Sequence, residues 1–545
     1  MRTSFSRFAN PELERRAANT LLAVILVGVG FRSILTAYEK PLWFDEILTV
    51  IMCRLPSLSK LWEALDNGAD TNPPLFYLVA GWAHRFISDD HVAYRLPSIL
   101  GLVVTVLCMY LILSKRIDRL SALVGAAFLL CTQLVAYADE ARPYALLVCL
   151  VSIAILAWQR TDESRLYSLL LCLALAIALS LHYYAILVWP AFVLAEATVW
   201  FHKRRFRAGV WIALILSTAP LFFFAHLLMH LRQYYGRNFW SRPGFGQIAS
   251  APVNLYNFLN YWVWCFTIGA IVVLVRWSLG KTATSYASEK PEAGERVLPI
   301  EECGLIVVLL LLPVIAVLAA KVGGGGMTYR YMLPMLLGAS LAVGYIASRV
   351  SRALRAVLLV LVLGNYGLSS VPVMKKALTG SLLQRRVAAA REGKAILDEY
   401  QKFALPIVIA PGTNYLPMVY YMPASQNVSL YALADPQAAV TFSNSDSVDL
   451  ALLALRPYLP LQVEDYRSFA SSNPEFILVS LHETRPDWWP SRLLHDDDTL
   501  SLLSTGTSMQ VYKVILKSQQ VPENEKPGER KGADTGSPEP DGEMN

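Results

Sequence analysis

The sequence predicts an α-helical polytopic membrane protein with a small α/β domain at its C-terminal end. Three observations carry this reading. Hydrophobic residues make up 55% of the 545 positions and charged residues only 17%, whereas soluble chains average about 25% charged. A mean hydropathy of +0.41 over 60.6 kDa exceeds what globular cores absorb, so lipid is the solvent that accounts for it. About eleven apolar stretches approach the length that crosses a bilayer. Beyond residue 373 the composition changes, and a polar helical stretch leads into short strand-like runs. The formal net charge of +6 is too small to argue for nucleic acid.

The elements follow in chain order. Residues 1–19 are basic and polar, and the apolar run after them has no small-residue cleavage signature. They read as a cytoplasmic N-terminus before an uncleaved first span. Spans are expected near 20–37, 93–113, 120–138, 143–158, 165–181, 185–201, 208–229, 253–275, 303–320, 331–348 and 354–372. The short loops KRIDR, HKRRFR and SRVSRALR concentrate basic residues at alternate helix ends. By the positive-inside rule those ends are cytoplasmic, which puts residues 38–92 and everything after the last span outside the cell membrane.

The outer loop 38–92 is too long for a simple helix connection. Its Leu58, Leu61, Trp62 and Leu65 form a helical stripe suited to the membrane interface. Asn72-Pro73-Pro74 then opens a second apolar helix, too short to span. Residues 20–372, this loop included, form the transmembrane domain. Residues 373–517 read as an extracytoplasmic α/β domain with PIVIA, PEFILVSL and MQVYKVILK as strands. The Pro-, Gly- and charge-rich residues 518–545 read as a disordered tail. Of the seven cysteines, Cys108, Cys131, Cys149 and Cys172 fall in apolar stretches and no CxxC pair exists, so neither a disulfide framework nor a zinc site is indicated.

Ionisable groups gather where the spans meet the outer surface. Asp45 and Glu46 follow the first span in PLWFDEILTV, and Asp139, Glu140 and Arg142 occupy the tight turn in YADEARPYALL. His182 and Tyr183 close the fifth span in LHYYA, while Arg330 and Tyr331 open the tenth after the mobile-looking Gly323–Gly326 run. The bland account of these residues is an ordinary interface belt of aromatics and flanking charge. For Asp45, between apolar Trp43, Phe44 and Ile47, a carboxylate at the edge of the apolar zone points to function.

The WFDE turn, the NPPLFYL segment, the ARPYALL turn, the HYYA element and the RYMLP element follow in that order. Together they resemble the GT-C membrane glycosyltransferases, in particular a bacterial branch similar to the protein O-mannosyltransferases and the lipid A aminoarabinose transferases. The resemblance implies a polyprenyl-phosphate-linked sugar donor, used on the outer side of the membrane. It also implies that Asp45 is the acidic residue of the first outer loop that activates the acceptor.

The residue chemistry fits that role. Moving a sugar from a polyprenyl monophosphate to a hydroxyl requires a proton to be removed and a phosphate to leave. A carboxylate such as Asp45 supplies the base, and adjacent Glu46 diverges from it by about 100° on a helix, leaving one acid to hold the loop. Arg142 or Arg330 can take the charge that builds on the leaving phosphate. Displacement by a single base predicts inversion at the anomeric carbon. Asp139, Glu140, His182 and Tyr183 are expected in the same substrate-binding cavity, with Tyr331. A divalent cation on Asp45, Asp139, Glu140 and His182 stays open, since the ligand types suit it but the spacing defines no site. The competing reading is a transporter or flippase of a lipid-linked saccharide, which would place acids at mid-membrane. The sugar and the acceptor, whether glycan, lipid or protein, have no signature in the sequence.

Overall fold

The computed structural model describes residues 11–236, 238–256, 298–423, 429–459, 461–481, 487–506 and 509–517. The expected span near 253–275 falls largely outside them, and the expected tail 518–545 does so entirely. Among the described residues, four helical segments are long and apolar enough to cross a membrane unaided: Glu12–Glu39, Asp90–Ser114, Tyr183–Lys203 and Arg352–Leu378. Two further pairs are bent: Ala208–Phe223 with Ala225–Tyr235 at 58°, and Ile300–Leu310 with Leu312–Gly323 at 57°. Pro313 stands in the first turn of Leu312–Gly323, where its ring and missing N–H break the ladder with the preceding helix. Shorter apolar helices, among them Arg119–Cys131, Tyr144–Trp158, Arg165–Leu181 and Met335–Ala347, fill the remaining expected spans.

Boundaries shift from the sequence reading in two places. The first helix already begins at Pro11, where Arg16 pairs with Glu12 one turn away at 2.7 Å. The last apolar helix continues through Pro372 to Leu378.

Small residues set the helix packing. A Cβ at Gly101 would come within 2.9 Å of the Ala145 and Leu146 backbone, so only glycine lets helix Leu96–Ser114 approach helix Tyr144–Trp158 this closely. Gly125 meets Gly344 in the same way, and Ser340 Oγ donates to the Gly125 carbonyl at 2.7 Å. The segment Asp90–Ser114 is mostly buried and central, whereas Arg352–Leu378 is mostly exposed and peripheral. The basic loops are tied to acids at one end of the bundle: Arg116 to Glu302 at 2.7 Å and Arg355 to Asp118 at 2.7 Å. The candidate chemistry lies at the other end, beyond Arg95 at the start of helix Leu96–Ser114.

There the loop 38–92 folds into helices Phe44–Cys53, Leu58–Asp66, Leu75–His84 and Asp90–Ala93. On Leu58–Asp66, Leu61 and Leu65 are buried while Leu58 is exposed. Leu78 and Trp82 leave one face of helix Leu75–His84 exposed and apolar, and Phe86 just beyond it is exposed too, as an interfacial helix requires.

Among the described residues, the C-terminal domain holds a six-stranded sheet of order β3-β2-β1-β4-β6-β5, with β1 Ile407–Ala410, β2 Leu430–Ala434, β3 Val463–Asp465, β4 Glu475–Leu481, β5 Thr499–Thr505 and β6 Met509–Ile515. The strands β3, β2, β1 and β4 run parallel, while β6 and β5 are antiparallel additions at one side. β1 and most of β4 are buried continuously, as strands covered on both faces must be. This domain does not stand apart. Ile47, Phe76 and Tyr77 of the loop share one hydrophobic core with Tyr415, Leu416, Val419 and Ile477. Tyr421 seals the joint, its hydroxyl accepting the Leu42 N–H at 2.6 Å and meeting His91 Nε2 at 2.6 Å. Loop and domain therefore lie on the same side of the helical bundle.

Candidate active site

A cavity of about 780 Å³ opens between the span ends, the loop and the C-terminal domain. Asp45, Asp70, Glu140, Arg142, Arg330 and Tyr331 line it from the membrane side, and Asn414, Met418 and Tyr421 close it from the domain.

Helix Phe44–Cys53 orients the first two acids. Trp43 is extended, and its N–H donates to Glu46 Oε2 at 3.3 Å, which caps the first turn. The neighbouring side chains then diverge, one toward the cavity and one toward the core. Asp45 faces the cavity and accepts from Arg330 Nη1 at 3.0 Å. Glu46 is fully buried, bound by Arg95 Nε at 2.7 Å and Nη2 at 2.6 Å, and accepts the Ala141 N–H at 2.7 Å. Burial opposes its ionisation, but Arg95 and the Ala141 N–H outweigh this and hold its carboxyl below the usual range. Arg95 also donates to the carbonyls of Ala37, Lys40 and Pro41, and so fixes the chain entering the loop.

Arg330 sits in a 3-10 turn, Tyr329–Met332, capped by Thr328. Its guanidinium carbon lies 5.4 Å from the ring centres of both Tyr144 and Trp240, and its Nε has no hydrogen-bond partner. Two of the preceding glycines have definite roles. Gly324 is left-handed and ends helix Leu312–Gly323, and a Cβ at Gly326 would overlap the Phe239 ring.

Arg142 is buried and more fully engaged. It donates to Asp70 at 2.7 and 3.3 Å, to the Asp45 carbonyl at 3.0 Å and to Thr49 Oγ1 at 3.3 Å. Burial raises the Asp70 carboxyl, but Arg142 outweighs it and keeps Asp70 ionised below the usual range. Glu140 lines the cavity 3.5 Å from Lys40. Its carboxyl is pushed up chiefly by burial, with Lys40 opposing and the charges of Glu46 and Asp45 adding.

Asp45, Glu140, Arg142, Arg330 and Tyr331 thus converge, and the remaining candidates do not line the cavity. Asp139 is buried behind it against Arg32, its carboxyl pushed up by burial. His182 lies behind Tyr331, ring centres 4.7 Å apart, and its Nδ1 accepts the Tyr184 N–H at 3.2 Å. Burial and the charges of Arg142 and Arg330 depress its imidazole to about 3, so it is neutral. Tyr183 packs edge-on against Phe224. Among the described residues, Asp45, Asp139, Glu140 and His182 form no group able to share a metal ion.

Four participants escape the sequence reading. Asp70 stands two residues before Asn72-Pro73-Pro74, so the segment was marked but its acid was not. Trp240 and the domain residues Asn414 and Met418 carry no local signal at all.

Residues 71–230 match the family model described as dolichyl-phosphate-mannose-protein mannosyltransferase. That segment contains the NPPLFYL, ARPYALL and HYYA elements, while Asp45 and Arg330 lie outside it. No curated protein matches the chain in sequence. Among solved structures, ArnT from Cupriavidus metallidurans bound to undecaprenyl phosphate aligns with a TM-score of 0.53 at 12% identity, over 90% of this chain and 97% of that one. The same protein in the apo state aligns with a TM-score of 0.55 at 12% identity, over 91% and 98%. The chain therefore shares the fold of ArnT over nearly its whole length.

Proposed function

We propose that the chain transfers a sugar from a polyprenyl-phosphate carrier to an acceptor hydroxyl at the outer face of the cell membrane, with inversion. The observation that carries this reading is the Asp45–Arg330 pair on the wall of a cavity at the mouth of the bundle. The fold shared with a protein crystallised on undecaprenyl phosphate supports the donor class.

In this reading Asp45 takes the acceptor proton as the new carbon–oxygen bond forms at the anomeric carbon. The bond from that carbon to the phosphate oxygen breaks, and the phosphate gains charge. Arg330 meets it, because it lines the cavity beside Asp45 and its guanidinium is held by Tyr144 and Trp240. Arg142 braces the Asp45 backbone and Asp70 and is the lesser phosphate candidate. Glu140, protonated more readily than an ordinary glutamate, is placed to hydrogen-bond the sugar. Glu46 holds the loop.

Untargeted glycolipid and glycan profiling of cells with and without the gene tests the reading. Loss of one glycosylated species with accumulation of a polyprenyl-phosphate sugar is expected, and restoration by the parental gene but not by an Asp45→Asn gene. Unchanged profiles, or full restoration by the variant, would contradict it.

A further inference from the structure

At the end of the bundle opposite the cavity, one corner carries more positive charge than its own acids neutralise. There helix Trp189–Lys203 ends, helix Ala208–Leu216 begins and helix Arg165–Leu181 starts beside them. A Cβ at Gly209 would lie 3.6 Å from Ser168 Oγ, and Arg205 pairs with Asp162 at 3.3 Å, so the three helix ends are neighbours. The other acids that reach the corner are taken as well. Lys203 holds Glu301, Lys115 holds Glu163, and Arg207 holds Glu196, to which Trp158 Nε1 also donates at 2.6 Å. Arg165 and Arg204 are left over, both exposed and, among the described residues, in no ion pair. The other basic loops at this end differ: Arg116 pairs with Glu302, Arg352 with Glu14 and Arg355 with Asp118.

Beside these two arginines the surface is aromatic. Trp200, Phe201 and Phe206 are exposed. Phe206 folds back from between Arg205 and Arg207, its ring centre 5.4 Å from that of Trp200 and 6.2 Å from that of Trp211, parallel to the latter within 11°. Leu166, next to Arg165, is exposed too. Aromatic rings at the end of membrane helices settle where acyl chains meet headgroups. Guanidinium groups beside them offer planar forks to phosphate oxygens.

We propose that this corner binds an anionic phospholipid, with its phosphate on Arg165 and Arg204 and its glycerol and first acyl carbons on the Trp200–Phe206 shelf. Basic pockets between membrane helices hold anionic headgroups in this way. The uncompensated charge selects against a zwitterionic lipid, whose choline or ethanolamine brings a cation back to the arginines. The shelf selects against a free phosphate, which has no apolar part to bury. The inference stands independently of the proposed reaction and of which side of the membrane this end faces.

The test titrates the full-length protein in neutral detergent with dioleoylphosphatidylglycerol or with dioleoylphosphatidylcholine and reads the retained lipid by native mass spectrometry. The parent should hold phosphatidylglycerol saturably and at least about tenfold more tightly than phosphatidylcholine. Each arginine near an anionic headgroup is worth about fivefold in affinity, so the double variant Arg165→Gln, Arg204→Gln should bind phosphatidylglycerol roughly 25-fold more weakly. Both positions are exposed, so its elution on gel filtration should stay parental. Arg15→Gln, at an exposed arginine elsewhere on the same end, should retain the lipid as the parent does. Equal retention of the two lipids by the parent, or a loss at Arg15→Gln as large as in the double variant, would overturn the site. Displacement of the lipid by millimolar inorganic phosphate would also overturn it, since a free-anion site makes no use of the shelf.

Discussion

Arg330 Nη1 donates to Asp45 Oδ2 across 3.0 Å and joins residues 285 positions apart. The pair links the loop 38–92 to the turn before helix Met335–Ala347, with the guanidinium held between Tyr144 and Trp240. Arg330→Lys keeps the charge and loses the planar fork. Loss of a charge-assisted hydrogen bond worth about 1.5–3 kcal/mol should lower transfer roughly 10- to 100-fold. Initial rates in proteoliposomes check this, and a parental rate would remove Arg330 from the phosphate site.

Glu46 and Arg95 form a bidentate pair with no exposure on either side chain. Removing one partner strands a buried charge, so Arg95→Met should destabilise the protein by roughly 3–5 kcal/mol. Adding Glu46→Gln should recover part of that loss, because the stranded carboxylate is then neutral. Thermal unfolding of the single and double variants in detergent measures both effects. Full additivity of the two losses would show that the pair does not act as a unit.

Much of the site was legible because its segments end spans. Asp45, Glu140, Arg142, Arg330 and Tyr331 all lie at helix ends that the apolar runs and basic loops assign to one side. Asp139, His182 and Tyr183 lie in the same segments, yet their side chains turn behind the cavity wall. Span-end position does not report which way a side chain turns. The partner of Glu46 was hidden for another reason: Arg95 is 49 residues away and reads as an ordinary flanking charge. The strands PIVIA, PEFILVSL and MQVYKVILK were visible as apolar runs. The shared core of Phe76 with Tyr415 was not, since contacts this distant leave no periodicity in either segment.

Asp449 gives the C-terminal domain a defined pH response. Burial pushes its carboxyl up to about 7, with the Asp435 and Asp446 charges adding and the Asp435 N–H, donated at 2.8 Å, opposing. The folded state therefore holds a proton that the unfolded chain releases near pH 4. Stability conferred by this group is complete below pH 4 and lost as pH rises to 7, up to about 4 kcal/mol. Asp449→Asn keeps an acceptor for the Asp435 N–H and has no charge to bury. It should unfold at a higher temperature than the parent at pH 7.5 and lose the slope between pH 4 and 7. An unchanged slope would contradict the assignment.

The topology is open to direct labelling. Residues 38–92 and 373–517 are expected outside the cell, and the loop HKRRFR inside. In a cysteine-free background, Thr441→Cys should react with an impermeant maleimide in intact cells, and His202→Cys only after lysis. Both positions are exposed in the structure. Reaction of His202→Cys in intact cells would reverse the orientation.

The central claim is that Asp45 removes the acceptor proton. Asp45→Asn preserves the side-chain shape and its contact with Arg330 while removing the basic charge. The decisive measurement is sugar transfer by purified Asp45→Asn protein in proteoliposomes, read beside its affinity for the polyprenyl-phosphate carrier. Transfer should fall by roughly 10² or more, while carrier affinity changes far less, because the loss lies in the transition state. Transfer at the parental rate would contradict the account.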